Sequence, residues 1–269
     1  MKRTYVYMLQ LMCIGTLMIS SCAKEEWGVG NVERQDGSGG GEWNKNKTIE
    51  VYYITELNDG GVSDYDAVSN FFLKKGSTCT LGIIDRSDVN YAVRSYGPTD
   101  VAFKSAHFSS FALNRFSGTT MEGSTVLFNH KINSESSFKV TNDCFVKFIP
   151  VQAKTTTANP VDIFVPFSTV RLDSKEQIMA SESVFKKLSG TSYEALVIGT
   201  VKTELLPELK TVADKISGYA FTEVVKNPDT DYVIFMLGLK SWVLRETTMN
   251  SVSGNLNAYC LFVEASVEP

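Results

Sequence analysis

Two stretches constrain this chain more than any others. "SKEQIMASESVFKKL" (Ser174 to Leu188) and "ELLPELKTVADKI" (Glu204 to Ile216) repeat apolar residues at helical spacing, and both are bracketed by runs of β-branched and aromatic residues. In the first, Ile178, Met179, Phe185 and Leu188 keep helical spacing; in the second, Leu205, Leu209, Val212, Ala213 and Ile216 form one stripe, with Pro207 tolerated in the first turn. An amphipathic helix must bury its apolar face, and the elements available here are strands. Simple β-sandwiches seldom carry two long helices of this kind, so the spacing predicts sheets with helices on their outer faces.

The remaining segments agree. "TIEVYYIT" (48 to 55) predicts a strand, followed by a turn at Asn58-Asp59-Gly60-Gly61. "SDYDAVSNFFLKK" places Ala67, Val68, Phe71 and Phe72 on one helical face with Ser63 or Asp64 as the cap, and "CTLGIID" predicts a buried strand. Between Tyr91 and Phe148, "VAFKSA", "STVLFNH" and "CFVKFIP" predict successive antiparallel strands, and "PVDIFVPF" another. "ALVIGTVKT" predicts a strand ending at Gly199 with a helix directly behind it. The chain closes on "DYVIFMLGL", "SWVLRE" and "AYCLFVEASVE".

None of this includes the first 47 residues. Lys2 and Arg3 precede an apolar run from Tyr5 to Ile19 that stops at "ISSC", the pattern of a secretory signal. The run falls short of the about 20 apolar residues a spanning helix needs. "LMISSC" resembles a bacterial lipobox, which implies removal of residues 1–21 and lipidation of Cys22. Lys24-Glu25-Glu26 behind it resembles the export signal that sends Bacteroidetes lipoproteins to the outer face of the outer membrane. The expected localisation is therefore the cell surface, on a lipid anchor. From Gly28 to Lys47 the Gly-Ser-rich composition cannot bury enough surface to offset its chain entropy, so residues 22–47 are expected to be a flexible tether, with Trp27 and Trp43 as incidental or membrane-interface residues. Residues 48–269 are expected to form one domain.

Charge narrows the partners. With 26 basic and 30 acidic residues and no basic block, nothing predicts a nucleic-acid surface. Cys79, Cys144 and Cys260 form no CxxC pair, and an odd number cannot all be bridged. They predict buried thiols, with room for one disulfide in an oxidising compartment.

In the order of its elements the chain resembles the endonuclease/exonuclease/phosphatase superfamily. That resemblance implies an α/β fold, a four-layer sandwich of two β-sheets with outer helices and mixed, mostly antiparallel strands. The family's first metal-binding glutamate, in L-Q-E, falls at "LGIIDR", where Asp85 stands. Its His-Leu strand end falls in "DIFVPFSTVRLDSKEQ", near Phe167, Ser168 and Thr169. Its G-D-x-N motif falls at "IGTVKT", with Thr200 for the aspartate and Lys202 for the asparagine. An I-D-Y-I-F stretch matches "DTDYVIFML" through Asp231, Tyr232 and Phe235, and the final S-D-H falls at "NAYCLFVEA", with Ala258 and Tyr259 in place of aspartate and histidine.

The resemblance implies a cleft lined by Asp85, Ser168, Thr200, Lys202, Asp231 and Tyr259, without the chemistry. Hydrolysis by this family's route needs a histidine base held by an aspartate, a second histidine on the phosphate, and carboxylates on a divalent cation. The chain's two histidines, His107 and His130, fall away from both motif positions. No catalytic residue, resident metal or cofactor is expected. The leading expectation is a non-catalytic surface lipoprotein that binds a ligand or protein partner. An active Mg²⁺-dependent phosphoesterase or nuclease would need Glu56, Asp85, Asp231 and His107 or His130 to converge. A glycan-binding lipoprotein of a nutrient-uptake system would use Trp242, Tyr232 and Tyr259 as stacking platforms.

Overall fold

The computed structural model describes residues 47–57, 64–76, 81–90, 95–129, 134–156, 162–225 and 230–265. The expected leader, Cys22, the tether, Cys79 and His130 lie outside these residues. In chain order the elements are β1 (Lys47–Thr55), α1 (Tyr65–Lys75), β2 (Leu81–Asn90), β3 (Ser95–Tyr96), α2 (Gly97–Lys104), β4 (Phe108–Ser117), β5 (Thr120–Phe128), β6 (Ser136–Lys139), β7 (Phe145–Lys154), β8 (Asp162–Leu172), α3 (Lys175–Leu188), β9 (Leu196–Lys202), a 3₁₀ turn (Thr203–Leu205), α4 (Leu206–Ala213), β10 (Tyr219–Glu223), β11 (Tyr232–Leu239), β12 (Trp242–Ser253) and β13 (Leu256–Ala265). Among the described residues no helix is long and apolar enough to cross a membrane.

Sheet 1 runs β12-β13-β1-β2-β5-β4, with β3 added to the end of β2; sheet 2 runs β10-β11-β9-β8-β7-β6. Each has one parallel pair at its centre, β1 with β2 and β8 with β9, and antiparallel neighbours elsewhere. A parallel pair needs a crossover, and α1 and α3 supply the two. Alternation along the strands then builds three apolar layers. Ile49, Val51 and Tyr53 of β1, Phe167 of β8, and Leu196 and Ile198 of β9 meet between the sheets. Tyr52 and Ile54 point outward to Val68 and Phe72 of α1, while Val170, Val197 and Val201 point outward to Ile178 and Phe185 of α3 and Leu209 of α4. The result is the four-layer α/β sandwich, and burial on both faces explains why the central strands are near-continuous apolar runs.

Capping fixes where the helices begin. Asp64 accepts the Ala67 N–H at 2.9 Å at the start of α1, and Ser174 accepts the Gln177 N–H at 3.2 Å at the start of α3. Three sequence expectations need correction. "VAFKSA" is not a strand: Pro98 opens α2 in its first turn, Val101 and Ala102 are buried, and Phe103 and Lys104 are exposed, a helical pattern and not an alternating one. Met179 is 51% exposed, one step off the buried stripe of Ile178, Val184, Phe185 and Leu188. The strand at "ALVIGTVKT" passes through Gly199 to Lys202, and a 3₁₀ turn separates it from α4. Gly199 is a contact requirement there and not a strand end, since a Cβ would lie 2.1 Å from the Val170 carbonyl oxygen and 3.2 Å from the Phe235 ring.

Candidate functional site

At the C-terminal ends of the two parallel pairs the inter-sheet layer turns polar. On β1, Thr55 follows Tyr53 on the same face; on β2, Asp85 follows Ile83; on β8, Thr169 and Arg171 follow Phe167; on β9, Thr200 follows Ile198. Asp85 sits in a bulge, where it and Arg86 together face Ser124 of β5, and Arg86 takes the left-handed conformation at φ 47°. Thr169 stays apart, its Oγ1 buried without a hydrogen-bond partner, and the others converge on one carboxylate. Arg171 Nη1 and Thr200 Oγ1 each donate to Asp85 Oδ2 at 2.9 Å, Thr55 Oγ1 donates to the same oxygen at 3.2 Å, and Ser124 Oγ donates to Oδ1 at 3.2 Å. Thr200 in turn accepts from the Tyr53 hydroxyl at 3.5 Å.

The guanidinium of Arg171 is held on other sides as well. Its Nε donates to Asp173 Oδ1 at 3.0 Å and Oδ2 at 3.3 Å, and its Cζ lies 3.8 Å from the centre of the Tyr232 ring. Asn114 Nδ2 of β4 donates to Asp173 at 2.6 Å and so ties in the edge of sheet 1. Asp85 is 1% exposed, Arg171 4% and Thr200 0%. Burial opposes the Arg171 charge, but Asp85 and then Asp173 outweigh it and hold the guanidinium above its ordinary pKa. Burial pushes the Tyr232 hydroxyl up to about 12, with Arg171 pulling the other way. Leu57, buried just after β1, accepts the Tyr232 N–H at 3.1 Å through its carbonyl, so the backbone itself laces sheet 1 to sheet 2 over this cluster.

The predicted cleft residues scatter around that cluster. Asp85 and Thr200 are joined. Ser168 lies on the opposite face of β8, fully buried, with no hydrogen-bond partner for its Oγ, and Ala258 likewise points to the outer layer of sheet 1. Phe167 and Tyr259 are inter-sheet core residues. Lys202 is half-buried at the end of β9, opposite Tyr232 in register, and Asp231 is exposed. His107 lies in the outer layer, its ring 5.7 Å from Phe72, on the other side of sheet 1 from Asp85. Trp242, Tyr232 and Tyr259 are each under 8% exposed, which removes them as sugar-stacking platforms. Sequence reasoning missed Arg171 and, with it, Thr55, Ser124 and Asp173. For Arg171 a signal was present, a cation at the same parity as Phe167 in a strand with no other basic residue.

A divalent cation at Asp85 does not fit these residues. Mg²⁺ holds several oxygen donors in near-octahedral order, with more than one group supplying them. Here four donors already point at the one carboxylate, and one of the two nearest carries a full positive charge. Among the described residues no three His, Cys, Asp or Glu side chains are grouped to hold a metal ion.

No family model matches the chain, and no curated protein matches it. Solved structures do. It is similar to an endonuclease/exonuclease/phosphatase from Bacteroides vulgatus at a TM-score of 0.55 and 9% identity, over 81% of this chain and 99% of that one. A family protein from Leptotrichia buccalis matches at 0.54 and 8%, over 79% and 98%. A humanized D. rerio TDP2 matches at 0.51 and 12%, over 80% and 98%. The chain therefore has the endonuclease/exonuclease/phosphatase fold.

Proposed function

We propose that this protein is a non-catalytic, lipid-anchored cell-surface protein that has kept a phosphoesterase fold and uses it to bind a ligand or protein partner. The observation that carries the reading is the Asp85–Arg171 ion pair. The carboxylate at the metal-binding strand end is buried and saturated by side chains of its own chain. A histidine base contributes on the order of 10² to 10⁴ in rate, and a metal several kcal/mol more. With His107 behind sheet 1 and Asp85 closed off, neither contribution has residues to supply it among the described ones. A groove of about 740 Å³ on the outer surface, between α4 and β10 and lined by Lys210, Asp214, Tyr219, Phe221, Glu223 and Lys240, is the surface this proposal offers for binding.

The lipid anchor rests on "LMISSC" and the polar segment behind it. Cys22→Ser is expected to abolish lipid labelling and release the protein from the membrane fraction. Hydrolysis is the decisive assay. The purified full chain, given single- and double-stranded nucleic acid, phosphoinositides and simple phosphodiesters with Mg²⁺ or Mn²⁺, is expected to release no product above blank. D. rerio TDP2, also solved with a single-strand DNA product, shares the fold at a TM-score of 0.50. An active phosphoesterase is accordingly the competing reading, and metal-dependent turnover that disappears in Asp85→Ala would establish it.

A further inference from the structure

We infer that the Arg171 guanidinium is the resident cation of this fold's metal position, so that the polar end of the inter-sheet layer excludes divalent metal ions as long as Arg171 is present. The inference deepens the non-catalytic reading and rests on it. One cation serves two carboxylates: Nη1 lies 2.9 Å from Asp85 and Nε 3.0 Å from Asp173. That is the electrostatic task a divalent ion performs between acidic ligands, done here by a group that no chelator removes. The guanidinium is also fixed on a third side by the Tyr232 ring, and Asp85 is held in place from the other direction by Thr55, Ser124 and Thr200. A second cation brought to Asp85 would meet Arg171 at contact distance in a buried setting, where like charges repel most strongly.

Removing the guanidinium should reverse this. Arg171→Ala leaves two carboxylates facing a vacated space, each with lone pairs no longer satisfied. The proposal therefore predicts metal sensitivity where there was none. The measurement is thermal unfolding of the full chain in MgCl₂, MnCl₂ or EDTA at matched ionic strength, with Mn²⁺ binding followed by electron paramagnetic resonance. Wild type is expected to melt at the same temperature in all three and to leave the Mn²⁺ signal free. Arg171→Ala is expected to melt lower in EDTA, to recover part of the loss in Mn²⁺ and to quench the free signal. Arg171→Lys, which keeps a cation, is expected to remain insensitive. If Arg171→Ala is recovered unfolded, refolding it with and without Mn²⁺ makes the same comparison.

A wild-type melting temperature that rises in Mn²⁺ and loses the rise in Asp85→Asn would overturn the inference. So would an Arg171→Ala protein that takes up no Mn²⁺, since Arg171 would then be only a structural partner. Because the readout is metal-linked stability, it separates from the functional proposal. Hydrolysis by a chain whose melting ignores metals sinks the proposed function alone, and metal-linked melting without hydrolysis sinks this inference alone.

Discussion

Exchange of Arg171 for Met keeps the volume and removes the charge, and the structure indicates how much that costs. Asp85 would be left as a carboxylate with 0% side-chain exposure and three hydroxyl donors but no counter-charge. Breaking a buried pair in this way costs about 3–5 kcal/mol. For a domain of this size each kcal/mol lowers the melting temperature by about 2–4 °C, so a fall of about 6–20 °C is expected. Asp85→Asn is the milder partner. Arg171 keeps Asp173 and the Tyr232 ring, and the loss approaches that of a charged hydrogen bond, about 1.5–3 kcal/mol. The double variant carries neither charge, and its cost should fall short of the sum of the singles by about 1–3 kcal/mol. Urea unfolding of all four proteins at neutral pH measures the cycle. Additive costs, or a loss below about 1 kcal/mol in Arg171→Met, would refute the claim that this pair is a coupled, buried unit.

Other consequences are as direct. Burial pushes the Cys144 thiol up to about 12 and the Cys260 thiol up to about 11, so both should resist alkylation in mildly alkaline buffer and react fully in urea; peptide mapping that finds either one modified in the native protein would contradict their burial. Burial, and then the Glu122 charge, hold the half-buried Asp88 carboxyl above its usual range. A raised acid contributes stability below the ordinary carboxylate range and loses it as the pH rises through the folded value. Asp88→Asn should therefore gain stability at neutral pH and none in acid, and an equal gain at both pH values would show that charge is not the cause. Gly199→Ala drives a Cβ to 2.1 Å from the Val170 oxygen, where real contacts stay beyond 3.0 Å; parting β8 from β9 should cost about 1–3 kcal/mol, and an unchanged unfolding midpoint would mean that the strands have slack.

How legible all this was in the sequence depended on which force set each element. The cores of β1, β2, β8, β9, β11 and β13 were readable because strands buried on both faces must be apolar throughout, and α1 was readable from period and cap and α3 from period alone. The helix α2 was not, since eight residues give too few turns for a period to emerge and Val101-Ala102-Phe103 reads as a strand by composition. Asp85 and Thr200 were placed by strand ends and do meet. Ser168 was placed by proximity in sequence to a motif, but alternation sends it to the other face, because a side-chain period of two separates neighbours absolutely. The cluster's centre, Arg171, lay three residues beyond the expected position, and no local rule says which acid a buried cation will meet across the sandwich.

The register of β1 has a consequence for the order in which the molecule can assemble. Sheet 2 is drawn from one contiguous stretch, Ser136 to Leu239, so its strands find partners nearby in the chain. Sheet 1 is different: β1 pairs with β13 from Lys47–Ala265 to Thr55–Asn257, joining opposite ends of the domain. Loop closure on that scale is slow and can begin only after β13 has been synthesised. Until then β1 has an unpaired edge and the inter-sheet apolar face is open on one side, the condition in which nascent chains aggregate or are held by chaperones. Sheet 2 with α3 and α4 is thus the part able to fold during synthesis, while the half that carries Asp85 must wait for the C-terminal hairpin β12–β13.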